Sequence, residues 1–365
     1  MDVDGCTLSG VTILEDVSLA QYTTLGVGGA ARWFVEIGDE KEMLAAVEFA
    51  RARGVPLFVL GGGSNLLVSD EGFAGMVARV AAGGAEWVEE GSGSARIEAG
   101  AGVNWDSVVQ FAVERSGAGI ECLAGIPGSV GGTPVQNVGA YGQEVSRTIV
   151  SVRALDLDAG KVVELAASEC GFAYRRSLFN TTQRGRYVIT RVVYRLAVGG
   201  DPLVEYRDVK QYFAERGVAR PSLKETADAV RAIRASKGML VGQGGEDARS
   251  AGSFFKNPVV GLGALGKVAS AAGCAANEVP QFPGGADEMV KVPAAWLMER
   301  AGFSKGFAMG RAGLSSKHVL AIVNRGGATA AEIVALRDAV VREVKARYGI
   351  TLEQEPVMLG FPPVG

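Results

Sequence analysis

Residues 124–142, AGIPGSVGGTPVQNVGAYG, set six glycines and two prolines in nineteen positions. No helix or regular strand runs through such a stretch, because glycine leaves the backbone too free and proline removes a donor and fixes φ. It forms instead a rigid, irregular surface with few bulky side chains, suited to lie against a flat ring system or a diphosphate. A surface Ω-loop is the plain alternative, and it fits less well because the segment is apolar and nearly uncharged. A second glycine stretch, GGGSN (61–65), follows directly on VPLFVL (55–60), which reads as a buried strand. Its three glycines let successive N–H groups turn inward as an anion nest, and Ser64 and Asn65 add side-chain donors. Alone it would be a tight turn. Two such loops on separate elements point to one extended cofactor held between them.

Other glycine patterns mislead. GVGGAA (26–31) formally matches the dinucleotide fingerprint, but that motif has meaning only between a strand and a helix. Here ARWFVEI follows and reads as a strand, so the Rossmann reading is excluded. GGGSN also lacks the Lys-Ser/Thr ending of a nucleotide-hydrolase P-loop.

The chain of 365 residues, 48% hydrophobic and 21% charged with a formal net charge of −3, has room for two or three cored domains. That balance argues against a nucleic-acid partner, which needs a concentrated basic face. No apolar run reaches the roughly 18 residues of a membrane span. MDVDGCTLSG, acidic and polar, is not a secretory signal. Cys6, Cys122, Cys170 and Cys274 lie far apart without metal-ligand spacing, so reduced thiols in a cytoplasmic setting are expected. His318 is the one histidine, which rules out a multi-histidine metal site, and no metal is expected.

Along the chain, residues 40–53 read as a helix with Asp39 as N-cap, Glu42 three residues on and Gly54 closing it. A second helix starts at Asn104 and stops at Gly117. TIVSVRALDL, KVVEL and RYVITRVVYRL read as strands between 145 and 200. Helices return at 226–237, at WLMERAGF behind Pro293, and at AAEIVALRDAVVREVKARYG. Thr329 and Glu332 form a capping box on the last and Gly349 ends it. ITLEQEPVML reads as a final strand, and GMLVGQGGEDARSAG (238–252) as a mobile loop. The class is α+β.

LGGGSNLLVSD, GIPGSVGG, QNVGAYG, YRRSLF, GSFFKNP and LEQEP, in this order, closely resemble the bacterial UDP-N-acetylenolpyruvoylglucosamine reductases, flavoenzymes of peptidoglycan precursor synthesis. The resemblance runs from about residue 18 to 360. It implies the vanillyl-alcohol-oxidase/PCMH-type two-part FAD-binding fold plus a separate α+β substrate-binding domain. The implied division is 1–82 with 350–365 for the first FAD-binding subdomain, 83–225 for the second, and 226–349 for the substrate domain. Retention of EYRDV and the long late domain match the larger subtype, which closes a domain over its substrate.

By this resemblance Gly61, Gly62, Gly63, Ser64 and Asn65 hold the diphosphate of a non-covalent FAD. Ile126, Gly128, Ser129, Gly131, Gly132, Val135 and Gly139 line its flavin. NADPH is the reductant and shares one pocket with the UDP-sugar, so no separate NADPH site is assigned. The product is UDP-N-acetylmuramate. A hydride reaches the vinyl methylene of the enol ether, and Ser253 protonates the carbon bearing the carboxylate. Arg175, directly after Tyr174 in the Tyr-Arg-x-Ser pattern, is the fork for that carboxylate, in preference to Arg176 at the variable position. Glu355, the second glutamate of LEQE, stands beside it; read without the family it would be a solvated strand residue.

A serine hydroxyl is a poor acid in water and works only if resupplied through a neighbour such as Lys256 or a water. Read without the family, Ser253 is a small residue at a crowded turn. The UDP half is met by Tyr141, Tyr174, Tyr206, Lys237, Lys256, Asn257 and His318, the histidine at a position that often carries a polar ligand for the diphosphate. An exposed or capping histidine is the equal alternative. The family's Lys-Leu-Pro-Asp-Pro stretch reads KGMLVGQGGED here, with a longer gap to Ser253. Small molecules are the expected partners, with no membrane insertion, and the chain is expected to be a monomer or weak oligomer. Two other readings stand beside this one. A flavin oxidase of the same superfold lacks a histidine near the cofactor loops for covalent attachment, and a catalytically silent UDP-sugar binder would not need Ser253, Arg175 and Glu355.

Overall fold

A computed structural model describes residues 7–8, 11–243 and 245–362. The chain divides into two compact units, one of Met1–Val17, Ala30–Gly63 and Phe73–Ser236, the other of Ser18–Gly29, Ser64–Gly72 and Lys237–Gly365.

The first unit holds two sheets. In one, Ala30–Ile37 and Leu57–Leu60 both lie parallel to Phe73–Val80, with Leu14–Ser18 at the far edge. Parallel strands need a crossover, and the helix Glu40–Ala52 makes the one from Ala30–Ile37 to Leu57–Leu60, which flank Phe73–Val80. Its Met43, Ala46, Val47, Phe49 and Ala50 join Trp33, Val35, Ile37, Met76 and Ala78 in one core. The strand after GVGGAA is real, so that glycine pattern opens a strand and not a helix. The helix begins as expected, with the Asp39 carboxylate accepting from Glu42 N at 2.8 Å.

The second sheet is antiparallel, in the order Lys161–Ala166, Ile149–Asp156, Tyr187–Val198, Ser94–Gly100, Ala85–Gly91. The strand Tyr187–Val198 exposes Arg191 and Arg195 on one face, where they pair with Glu98 and Glu90, and buries Val192, Tyr194 and Leu196 on the other. Trp105–Glu114 covers that buried face, started by Asn104 Oδ1 accepting from Ser107 N.

The second unit has its own core around the nineteen-residue helix Ala330–Tyr348, whose Ile333, Leu336, Val340 and Val344 are buried. Around it stand the helices Leu262–Ala272 and Ala294–Arg300, two three-stranded sheets, and a parallel pair of Leu66–Val68 with Val357–Leu359.

These boundaries differ from the expected division at 82, 225 and 349. Leu223–Ser236 belongs to the first unit because Ala227, Ala229, Val230 and Ile233 share a core with Trp105 and Tyr194. Residues 64–72 go with the second unit because they pair with the C-terminal strand. That strand is shorter than ITLEQEPVML suggests: 350–356 run without ladder pairing, apart from one bridge between Gln354 and Phe255. Segment 238–252 contains a helical turn, Gly245–Ala248, and is fastened where the Asp247 carboxylate accepts from Ser316 N and Oγ at 2.8 and 2.7 Å. Among the described residues no helix is long and apolar enough to cross a membrane. Cys6 lies outside them.

Candidate active site

In the first unit the two glycine loops meet. GGG leaves the end of Leu57–Leu60, and a Cβ on Gly62 would stand 2.6 Å from Gly128 Cα. A Cβ on Gly61 would stand 2.9 Å from Ser129 Oγ, so a side chain at Gly62 would displace the other loop and one at Gly61 would have to move that hydroxyl. Gly63 (φ 64°) and Gly128 (φ 127°) take conformations that side-chain-bearing residues rarely adopt. Trp105 N donates to Gly128 O, Val130 N to Val103 O and Gly131 N to Ala101 O, which pins the second loop to the start of the helix Trp105–Glu114. Gly132 has open space where a Cβ would be. The Ser129 hydroxyl is buried and has no hydrogen-bond partner in the protein, which is the mark of a donor kept for a ligand.

The rest of this loop is tied to the Tyr-Arg-x-Ser turn. Ala173 and Arg176 exchange backbone hydrogen bonds, leaving Tyr174 and Arg175 at the tip. The Ser177 hydroxyl donates to Val135 O at 2.6 Å, and Arg175 Nη1 donates to Gly139 O at 3.0 Å. Arg175 is half-buried while Arg176 is exposed, and Arg175 holds φ at 55°, a left-handed conformation costly for a side-chain-bearing residue. Tyr174 is exposed at the turn. Ile126 stands half-buried against the core. Tyr141, also left-handed at φ 49°, is buried and meets the exposed Tyr206 edge-to-face, ring centroids 5.3 Å apart. Tyr206 precedes the helix Arg207–Ala214, an element the sequence did not signal.

Three charged groups in this unit escaped the sequence reading. Arg234 is buried, its Nε donates to Gly125 O at 2.9 Å, and burial pulls its pKa down against the opposing pull of Tyr141. Asp106 accepts from Gly125 N at 2.7 Å and pairs with Arg231. Glu121, fully buried, accepts from Gly119 N, Leu203 N and Gln143 Nε2. Each acts on backbone far away in sequence, and only the Arg234–Lys237 spacing on one helix end could have drawn attention.

The second unit gathers a different set. AGSFFKNP forms a turn with Phe254 and Phe255 buried against each other, rings 5.5 Å apart. Phe254 N donates to Leu320 O, Glu355 N to Phe254 O and Lys256 N to Glu353 O. The turn is thereby fastened both to the segment of His318 and to that of Glu355. Ser253 Oγ lies 3.2 Å from His318 Nε2, both half-buried. Asn65 Nδ2 donates to Glu355 O, and Val357 N to Asn65 O. Ser64 O accepts from Thr24 Oγ1. Lys256 Nζ stands 3.5 Å from Glu353. Asn257 Oδ1 accepts from Ala294 N and so starts the helix Ala294–Arg300. Lys237 is half-buried, the first residue beyond Leu223–Ser236.

The four described cysteine and histidine side chains form no metal cluster with Asp or Glu. Burial pushes the Cys122 thiol well above its ordinary range and the Cys170 thiol up to about 11, so neither is a nucleophile at neutral pH.

Residues 31–166 match the family described as FAD binding domain, and residues 244–359 match UDP-N-acetylenolpyruvoylglucosamine reductase, C-terminal domain. A UDP-N-acetylenolpyruvoylglucosamine reductase of Thermobifida fusca is 44% identical over 351 residues, 95% of this chain and 98% of that one. The enzyme of the same name from Saccharopolyspora erythraea is 43% identical, covering 97% of each. The crystal structure of the reductase from Thermus caldophilus superposes with a TM-score of 0.62 at 27% identity, covering 96% of this chain and 98% of that one.

Proposed function

The chain belongs to the UDP-N-acetylenolpyruvoylglucosamine reductase family of FAD-dependent oxidoreductases, which serves a reduction step of peptidoglycan synthesis, and from that premise we propose that it reduces UDP-N-acetylenolpyruvoylglucosamine to UDP-N-acetylmuramate with electrons from NADPH.

The residues present fit FAD. The partnerless Ser129 hydroxyl, the open face at Gly132 and the positive-φ glycines of both loops are what a diphosphate and a flat ring require. Gly61, Gly62, Gly63, Ser64 and Asn65 would hold the diphosphate, and Ile126, Gly128, Ser129, Gly131, Gly132, Val135 and Gly139 the ring. The chemistry that FAD would supply when bound is two-electron transfer, from NADPH to the substrate's vinyl methylene as a hydride. The cofactor is held non-covalently, as is typical of this family.

The protein's own part concerns the charge that then appears. Hydride addition places negative charge on the carbon bearing the carboxylate and on the carboxylate itself, and a preorganised donor aimed at that charge lowers the barrier. Arg175 is that donor, its guanidinium held by Nη1 donating to Gly139 O. Ser253 Oγ delivers the proton to the carbon. Glu355 stands beside the carboxylate. Tyr141, Tyr174, Tyr206, Lys237, Lys256, Asn257 and His318 bind the UDP-sugar, the last also reaching Ser253.

The observation that carries this reading is the turn at Ser253, held by backbone hydrogen bonds to the segments of both His318 and Glu355. Anaerobic mixing tests it. NADPH should bleach the flavin absorbance, and only the enolpyruvyl substrate should restore it. Ser253→Ala should bleach at the normal rate and recolour at least about a hundredfold more slowly. Recolouring at the normal rate would remove Ser253 as the proton donor, and protein with no flavin absorbance after FAD reconstitution would remove the function.

A further inference from the structure

A serine that gives up its proton must get it back, and the sequence offered Lys256 or a water for that task. The structure places Lys256 elsewhere. Its ammonium pairs with Glu353 at 3.5 Å, and its backbone N–H is committed to Glu353 O. What stands at Ser253 is an imidazole, with Nε2 at 3.2 Å from Oγ.

We propose that His318 is the proton partner of Ser253: its Nε2–H resupplies Oγ as Oγ protonates the substrate carbon. This rests on the reductase reading above and adds to it a positioning and proton-supplying role for a residue otherwise assigned to the UDP diphosphate.

The contact is built and not incidental. Ser315 Oγ accepts from His318 N at 3.2 Å and from Lys317 N at 3.1 Å, so the histidine sits on a closed turn. Ala321 N donates to His318 O, and Ser315 N to Ala321 O. Leu320 O, two residues beyond the imidazole, takes the N–H of Phe254, the residue after the serine. One backbone bond, from Phe254 N to Leu320 O, therefore ties the serine's segment to the histidine's beside the Oγ–Nε2 contact.

The chemistry balances. The hydride arriving at the methylene carbon brings the electron pair. The new C–H bond at the neighbouring carbon takes the Oγ proton, the Oγ–H bond re-forms as Nε2–H breaks, and the imidazole, now neutral, regains its proton from solvent. Serine paired with histidine usually loses its proton to the ring. Here the flow runs the other way, because the serine is the acid. An imidazole can both hold and pass on a proton, which an alcohol in isolation does poorly.

The two roles of His318 separate in His318→Gln, which keeps a polar group for a diphosphate and removes the titrating ring. Proton supply predicts that flavin bleaching by NADPH and the KM for the sugar nucleotide stay within about twofold, while recolouring slows at least tenfold and added imidazole restores part of it. A variant whose KM rises with recolouring unchanged at saturation overturns the proposal. A second measurement needs no turnover. This is the chain's one histidine, so protein labelled with 15N in the imidazole shows a single pair of ring nitrogens. Ser253→Ala should move the Nε2 resonance while Lys256→Ala does not. An Nε2 signal unaffected by Ser253→Ala overturns the contact itself. Wild-type protein that fails to recolour with the enolpyruvyl substrate would instead fault the reductase reading, so the two failures are distinguishable.

Discussion

Arg175 combines two properties that seldom meet in one residue, a left-handed backbone at φ 55° and a half-buried guanidinium. Strain of this kind persists only where the surroundings impose it, and here the exchanged hydrogen bonds of Ala173 and Arg176 and the bond from Asn180 Nδ2 to Arg175 O do so. Arg175→Gly is therefore informative. It relieves about 1–2 kcal/mol of left-handed strain. It loses a hydrogen bond to Gly139 O worth about 1 kcal/mol and adds about 0.5–1 kcal/mol of unfolded-state freedom. These nearly cancel, so the melting temperature should move by no more than about 3 °C. By the function proposed above, turnover should fall by about a hundredfold or more, since the charge developing on the substrate carboxylate would lose its donor. A large loss of stability with turnover intact would show that the arginine is there for the turn and not for the substrate.

The helix Ala330–Tyr348 shows what local sequence discloses and what it hides. Its capping box is local, with Thr329 Oγ1 accepting from Glu332 N and Glu332 Oε2 from Thr329 N, and the i to i+3 spacing reveals it. A second cap comes from Asp70, whose carboxylate accepts from Ala330 N at 2.7 Å and Ala331 N at 2.8 Å. Nothing near 330 announces it. Asp70→Ala should cost about 1–2 kcal/mol, seen as a lower urea midpoint with the slope unchanged; a midpoint equal to wild type would mean that Thr329 and Glu332 suffice. The same contrast runs through the chain. Asp39 and Asn104 were legible as caps because each bonds three residues on. Leu262–Ala272 was hidden by Gly263 and Gly266, which weaken a helical reading by about 1 kcal/mol each. ITLEQEPVML reads as a strand from its alternation, yet at 350–356 its backbone partners are a turn a hundred residues earlier. At the site, the glycine loops were legible from composition. The Ser253–His318 contact was not, since only folding brings positions sixty-five apart within 3.2 Å.

At the scale of the molecule, the apolar interior is divided. The first unit encloses one core around Trp105 and Tyr194 and another around Trp33, while the second encloses its own around Ile333 and Leu336. Cooperative unfolding follows continuous cores, so a chain built this way should melt in two steps when free of cofactor. FAD, by the reading above, is gripped chiefly by the glycines and Ser129 of the first unit. At a free concentration of about a hundred times its dissociation constant it adds about 2.7 kcal/mol to whatever binds it. Calorimetry should then show one transition rising with FAD and the other staying near its place, and Asp70→Ala should lower the one that FAD leaves behind. The chain crosses from one unit to the other between Gly63 and Ser64, inside the loop assigned to the diphosphate. Hydrogen exchange resolves the consequence: amides of Gly61–Gly63 and of 126–139 should gain protection with FAD, and that of Ile333 should not. If a single transition carries the whole enthalpy and moves as one with FAD, the two units unfold together and the divided core does not set the molecule's cooperativity.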